Sequence, residues 1–566
     1  MIEAREVCSA MNVRDVYTWT MLLSGYLKQG NPNETLNLFQ KMLEDRVEPS
    51  NVTFVCVLKA STLCVSHDLG KVIHASIVER GLEEDIFVGT SLIDMYAKCG
   101  SLENANHVFL KLPIQNTVSW TSMIAGYTRH GLASVALELF WKMQHNAVAP
   151  NEVTFANALT ASSLIASLEE GQLIHDMVLI CGFESDCFVG NSVIDMYSSC
   201  GCMDCAYHAF KRMAKRDLVS WNLMISGYLC HGMCKQAMLL FHEMVERKVR
   251  PDKTTFLSAL KACSLSQDIR EGQKLHDYIQ RSGVKLDVVL GSALMNMFVK
   301  CGSIENAQQV FKVLQKRDVV TWTTLMSGFV SHGDPGEALR LFKLMKQHKV
   351  LPDRLTFVGV LSACASLGDL DMGEKIHDDI ICAGLECDVC LGSCLVDMYA
   401  KCGSLHKALA VFDALPKKDV IAYNALVVGY AQHGDQEGLK DIFRQMFEAD
   451  MELDNVTYLS IFLAFSHCGL LDEGCRLLMF MMQECNRVLR SEHFSCIIDL
   501  LSRGGHLKDA VGFVERMPFQ PCSGVWTSVL GACKIYYDID IAKFVVEMIQ
   551  ELELQNSFWN RQHYSV

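Results

Sequence analysis

The chain has 566 residues, half of them apolar and only 10 proline, with a formal net charge of −14. That composition excludes a disordered or collagen-like chain and argues against capture of nucleic acid by bulk charge. No run approaches 18 consecutive apolar residues, which excludes an ordinary membrane-spanning helix.

The first stretch, "MIEAREVCSAMNVRD" (1–15), aligns with the end of later segments: Ala4 with Ala105, Val7 with Val108, Asp15 with Asp217. It reads as a partial short repeat. It shows neither an apolar signal segment nor a basic, Ser-rich transit segment. From residue 16 the sequence repeats itself with a step of 101. Trp19, Trp120, Trp221, Trp322 and Tyr423 keep that step. So do Phe39, Phe140, Phe241, Phe342 and Phe443, and Met42, Met143, Met244, Met345 and Met446. His74, His175, His276 and His377 follow it, as do Cys99, Cys200, Cys301 and Cys402. Periodicity of this kind sets the architecture before any single motif does.

Each 101-residue block divides into three helical hairpins of 35, 35 and 31 residues. In 117–151, Trp120, Met123, Ile124 and Tyr127 share one helical face, and Gly131 stands where that helix should stop. Ala136, Leu139, Phe140 and Met143 form the stripe of a second helix, and Pro150 ends the unit. The unit 152–186 follows the same plan. The short unit 187–217 carries "DMYSSCGCMDCA", in which Cys200 closes a helix and Gly201 can take the left-handed cap conformation. Four such triplets fill 16–419, an altered triplet fills 420–522, a last helical pair fills 523–556, and 557–566 diverges. No hairpin can bury its stripe alone, so the expected fold is all-α, a right-handed α-solenoid of stacked helix-turn-helix repeats.

The 25 cysteines fall largely in apolar helical patterns, as around Cys56, Cys263 and Cys364. They read as reduced packing residues rather than a disulfide framework. A zinc deaminase needs H-x-E with C-x-x-C, and none of the 19 histidines begins H-x-E. The pairs Cys202/Cys205 and Cys387/Cys390 have the C-x-x-C spacing. Sister blocks put Ser101, Ser303 and Ser404 at the Cys202 position, so small packing residues are the expectation there, with no metal and no catalytic residue. The recurring histidines, set among apolar neighbours such as Val72 and Ile73, read as packing residues too.

The 35-35-31 rhythm, "VSWNLMISGY" (219–228) and "DMYAKCGSLENA" (94–105) resemble plant pentatricopeptide repeats, in the subfamily that alternates ordinary, long and short motifs. The segment 523–556 looks like that subfamily's first E motif. No second E motif follows, which points to a truncated E-type C-terminus. A tetratricopeptide array, the protein-binding rival, expects period 34 and a glycine four residues after the tryptophan. Here Gly126 comes six after Trp120.

The resemblance implies single-stranded RNA binding, one base per repeat, read by the fifth and last residues of ordinary and short units. In the ordinary units these are Thr20/Ser50, Thr121/Asn151, Asn222/Asp252, Thr323/Asp353 and Asn424/Asp454. In the short units they are Thr90/Asn116, Asn191/Asp217, Ser292/Asp318 and Ser393/Asp419. For one such residue alone, helix capping is an equally simple account. Nine in register, each paired at the unit end with Asn, Asp or Ser, favour base reading. A carboxylate accepts from the ring N–H of uracil or guanine, whereas an amide serves the ring acceptor of adenine or cytosine. Val118, Val219, Val289 and Val320, at position two, would stack on the bases. The long units, with Val55, Ala156, Leu257 and Val358 at position five, have no polar reader. The family's code then implies a target 5′-?-n-A-A-n-U-U-n-G-G-n-G-U-n-n-3′. The resemblance further implies a mitochondrial or plastid site of action, no cofactor, and C-to-U editing with a deaminase supplied in trans. RNA stabilisation, splicing or translation, and a protein-binding solenoid, are the alternatives.

Overall fold

In the computed structural model the described residues are 15–64, 67–449, 455–483, 491–517 and 523–563, with Leu453 and Pro521. Among them every regular element is helical, the α-helices being joined by one 3₁₀ turn at Phe183–Ser185. The residues fall into two compact units, 1–285 and 286–566, and each is a run of helical hairpins.

The helices begin and end where local chemistry dictates. Asp217 caps Leu218–Cys230 by accepting from the Ser220 N–H at 2.9 Å, and Ser220 returns its hydroxyl to the cap. At the other end of such helices glycine takes positive φ, +76° at Gly131 and +83° at Gly100. The Leu132 N–H then reaches back to the Tyr127 carbonyl at 2.9 Å, which satisfies an end carbonyl. Cys99, Cys200, Cys301 and Cys402 are each the residue just before that glycine, at the end of the hairpin's first helix.

Within each unit the first helices of successive hairpins pack side by side. Each second helix covers the first helix of its own hairpin and leans on that of the next. The 101-residue step is therefore a packing step. Phe109 meets Trp120 edge to face at 4.7 Å and Phe210 meets Trp221 at 4.8 Å. In the second unit Phe311 meets Trp322 at 4.7 Å and Phe412 meets Tyr423 at 4.9 Å. Each pair seals one short hairpin onto the next ordinary one. Phe140, Met143, Met244, Phe342 and Met345 are fully buried beneath these contacts.

The recurring histidines pack as the pattern suggests. His74, His175 and His377 bond to the hydroxyls of Tyr96, Tyr197 and Tyr399 at 2.8–3.0 Å. Burial pushes all three imidazoles below their ordinary range. At the fourth position the partner ring is Phe298, which has no hydroxyl, and His276 bonds to Gln280 instead.

One feature differs from the sequence reading. The second helix of the last pair runs Ile539–His563, so the chain stays helical past Asn556. The partial repeat at 1–14 and the candidate reader Asp454 lie outside the described residues.

One carboxylate departs from its sisters. Asp94 and Asp397 are paired with Lys98 and Lys401, four residues on, at 2.7 and 2.8 Å. The equivalent Asp195 has Ser199 there, and burial pushes its carboxyl above the ordinary 3.8. A carboxyl raised on folding costs stability once the unfolded chain ionises, so stability falls as pH climbs from about 4. Asp195→Asn is therefore expected to raise the melting temperature at pH 7 and to leave it unchanged near pH 3.5. An equal shift at both pH values would show that charge is not the cause.

Candidate nucleic-acid interface

The two residues of each candidate reading pair come from different helices. The fifth residue lies in the second turn of a hairpin's first helix, and the last residue is the N-cap of the next first helix. Capping therefore belongs to the last residues, not the fifth. Asp15, Asn116, Asn151, Asp217, Asp252, Asp318, Asp353 and Asp419 all accept from backbone N–H groups in this way. The long units' last residues Asp85, Asp186, Asp287 and Asp388 cap just as well, although their fifth residues are apolar. A polar cap from the last residue thus occurs in long units as well as in ordinary and short ones among the described residues, and the polar fifth residue is what sets the candidate sites apart.

Three pairs join directly. Asn191 Nδ2 donates to Asp217 Oδ1 at 3.3 Å, Asn222 Nδ2 to Asp252 Oδ1 at 3.2 Å, and Ser393 Oγ to Asp419 Oδ1 at 2.8 Å. Three more join through a threonine in the first turn of the next helix. Thr20 meets Thr53, which bonds Ser50; Thr121 meets Thr154, which bonds Asn151; Thr323 meets Thr356, which bonds Asp353. The hydroxyls of Thr90 and Ser292 turn back to the Ile86 and Val288 carbonyls of their own helices, at 2.6 and 2.7 Å. Their partners Asn116 and Asp318 cap Ser119 and Thr321, each at 2.9 Å. Asn424 donates to Thr457 at 3.0 Å.

The network fixes which atoms face outward. Asp252 Oδ1 accepts from the Thr255 amide, the Thr255 hydroxyl and Asn222. Burial opposes ionisation at Asp217 and Asp252. Their bonds from Ser220 and Asn191, and from Thr255 and Asn222, outweigh it and hold both carboxyls below the usual range. Both are therefore committed acceptors at neutral pH. Since Asp217 takes the Asn191 amide nitrogen, Asn191 Oδ1 is left buried without a partner, and Asn424 Oδ1 likewise.

Val118, Val219, Val289 and Val320 are about half exposed, at 50–55%. Within each unit they belong to a longer row. In the first unit Tyr17, Val52, Phe87, Val153 and Phe188 hold the same second position, and in the second unit Leu355, Ile421 and Val456 do. All are 45–77% exposed. The sequence reading missed these members, three of them aromatic. Applying the unit frame to every hairpin would have found them. Val52, Phe87 and Val118 are consecutive members, and they line one cleft of about 490 Å³ together with Thr90 and Asn116.

The C-x-x-C residues stand apart. Among the described residues no group of three or more His, Cys, Asp or Glu side chains is placed to hold a metal ion.

Repeat profiles match along the chain. One described as "PPR repeat family" covers 14–61, 115–161, 216–265 and 317–366. Another described as "PPR repeat" covers 90–113, 191–218, 292–319, 393–420, 421–451 and 492–520. The pentatricopeptide repeat-containing protein At5g27110 of Arabidopsis thaliana is 34% identical, over 97% of this chain and 80% of that one. Two others from the same plant are each 32% identical over 97% of this chain. At2g03380, named mitochondrial, is covered over 80% of its length, and At1g11290, named chloroplastic, over 68%. Among solved structures, PPR10 from maize is 19% identical and matches 98% of this chain and 87% of its own, with a TM-score of 0.64. PPR10 in complex with an 18-nt psaJ RNA element is 18% identical, over 94% and 80%, with a TM-score of 0.58. At these identities the structures speak for the fold, an α-solenoid. Profiles, relatives and fold agree, and this chain belongs to the pentatricopeptide repeat family.

Proposed function

We propose that the chain binds single-stranded RNA in sequence-specific fashion, in a mitochondrion or plastid, and marks a site for C-to-U editing by a deaminase supplied in trans. The observation that carries the binding reading is the cleft at Thr90 and Asn116. Three successive exposed apolar side chains, Val52, Phe87 and Val118, flank a polar pair there. A flat base can slide between such side chains while its edge meets the polar pair. Stacking of this kind contributes about 1–3 kcal/mol per base whatever the base. The polar pair then supplies the choice.

PPR10 has been solved in complex with an 18-nt psaJ RNA element. The relatives' names support an organelle without choosing one. The editing role rests on the resemblance to ordinary-long-short arrays ending in an E motif.

The net charge of −14 argues against affinity from bulk long-range attraction. Binding is expected to favour 5′-?-n-A-A-n-U-U-n-G-G-n-G-U-n-n-3′ over a scrambled RNA of equal composition by tenfold or more, or about 1.4 kcal/mol. Equal affinities in a gel-shift titration would sink the code. The editing role is tested separately, by transcriptome sequencing of a null mutant. Loss of editing at one cytidine four bases beyond the target supports it, and an unchanged editing profile removes it.

A further inference from the structure

Two of the other short hairpins share a contact at the start of their second helix. The N-cap side chain touches that of the residue three positions on. Asn104 Nδ2 donates to Ser101 Oγ at 2.8 Å, and Asn306 Nδ2 to Ser303 Oγ at 2.9 Å. In the hairpin 187–217 both positions are cysteine. Cys202 is the N-cap of Met203–Arg212 and Cys205 is its third residue. The geometry that joins Ser to Asn elsewhere brings the two sulfur atoms to 2.7 Å.

Both thiols are partly exposed, so a small reagent can reach them. Cys202 is the donor in that contact. Its hydrogen bond to Cys205, and then burial, push the Cys205 thiol up to about 11. Neighbouring positions of a helical turn also lie about 5–6 Å apart at Cβ, so a bridge needs side-chain rotation and only a small backbone adjustment.

We propose that Cys202 and Cys205 form a redox dithiol that a low-molecular-weight disulfide such as oxidised glutathione converts reversibly to an intrachain disulfide. The Cys202 thiolate attacks one sulfur of the oxidant, whose S–S bond breaks and whose other half leaves as a thiol. Cys205, deprotonated in turn, attacks the Cys202 sulfur of the mixed disulfide and expels the second thiol. Two protein thiols lose two electrons, one disulfide becomes two thiols, and the two protein protons end on the leaving thiols. Met203, between the cysteines, is buried, and its Cε lies close to Gly227 on the next hairpin's first helix. The bridge therefore fixes the turn that seats one hairpin on the next.

The test takes the reduced full chain through glutathione buffers of rising oxidised fraction, followed by alkylation and peptide mass spectrometry. Cys202 and Cys205 should lose alkylation together, gain a bridge, and recover with dithiothreitol. They should do so at a ratio about tenfold more reducing than Cys387 and Cys390, which straddle the N-cap Asp388. Cys205→Asn, the residue of two sister hairpins, should halt the reaction at a glutathione adduct on Cys202. Cys202→Ser should form no bridge. The proposal is overturned if both cysteines still alkylate at the most oxidising ratio, or if the unsubstituted chain accumulates the same adduct as Cys205→Asn. The wild-type titration decides the matter even if a variant fails to fold.

Discussion

Asp252→Asn should move the preference at the seventh base of the proposed target from U toward C, by about 1–3 kcal/mol of discrimination, with little loss of stability. The cap survives because an amide oxygen can accept what the carboxylate oxygen does now. Asn151 already does this in the preceding block, taking the Thr154 amide at 2.9 Å and the Thr154 hydroxyl at 2.8 Å. What changes is the second polar atom, which turns from acceptor to donor. Uracil offers a ring N–H there and cytosine a ring acceptor, so the match inverts. Four RNAs differing only at that base, titrated against both proteins, measure the effect. An unchanged order of affinities would separate Asp252 from base reading and leave it a cap. Uniform weakening on all four RNAs would instead point to a damaged hairpin.

Trp221→Ala should cost about 3–5 kcal/mol of stability, the largest single effect expected in the array. Trp221 is 1% exposed and meets Phe210 edge to face. Arg216 closes the other side of Phe210, its guanidinium carbon 5.0 Å from the ring centre. Removing the indole opens a cavity at the junction of a short and an ordinary hairpin. A solenoid holds its hairpins only through neighbours, so the loss spreads into local opening on both sides. Asn222 is the next residue and should lose its register with Asp252. Trp221→Tyr should cost much less, because Tyr423 fills the same place against Phe412, and the buried indole N–H has no partner to lose. Urea titrations followed by circular dichroism compare the three proteins. Similar midpoints for Ala and wild type would show that the junction does not govern cohesion.

The sequence by itself determined the architecture. A step of 101 residues that carries tryptophan, phenylalanine, methionine and glycine together admits few folds. Period and apolar stripe force hairpins, and hairpins that cannot bury their own stripes must stack. The helix stops at Gly131 and Gly201 were legible for the same reason, since only glycine enters the left-handed region cheaply. The stops at Arg46, Ala147, Lys248 and Lys349, which also take positive φ, carry no such mark.

The identity of the candidate readers was legible too, through the frame. Their physical roles were not. Whether a polar residue near a helix start caps that helix or faces a neighbour depends on a contact some thirty residues away, which spacing cannot express. Only the tertiary structure separated the capping last residues from the fifth residues beside them. It also gathered the scattered second positions into an exposed row within each unit. And it brought Cys202 and Cys205 into contact, because a helix N-terminus places the N-cap and third side chains together whatever atoms they carry.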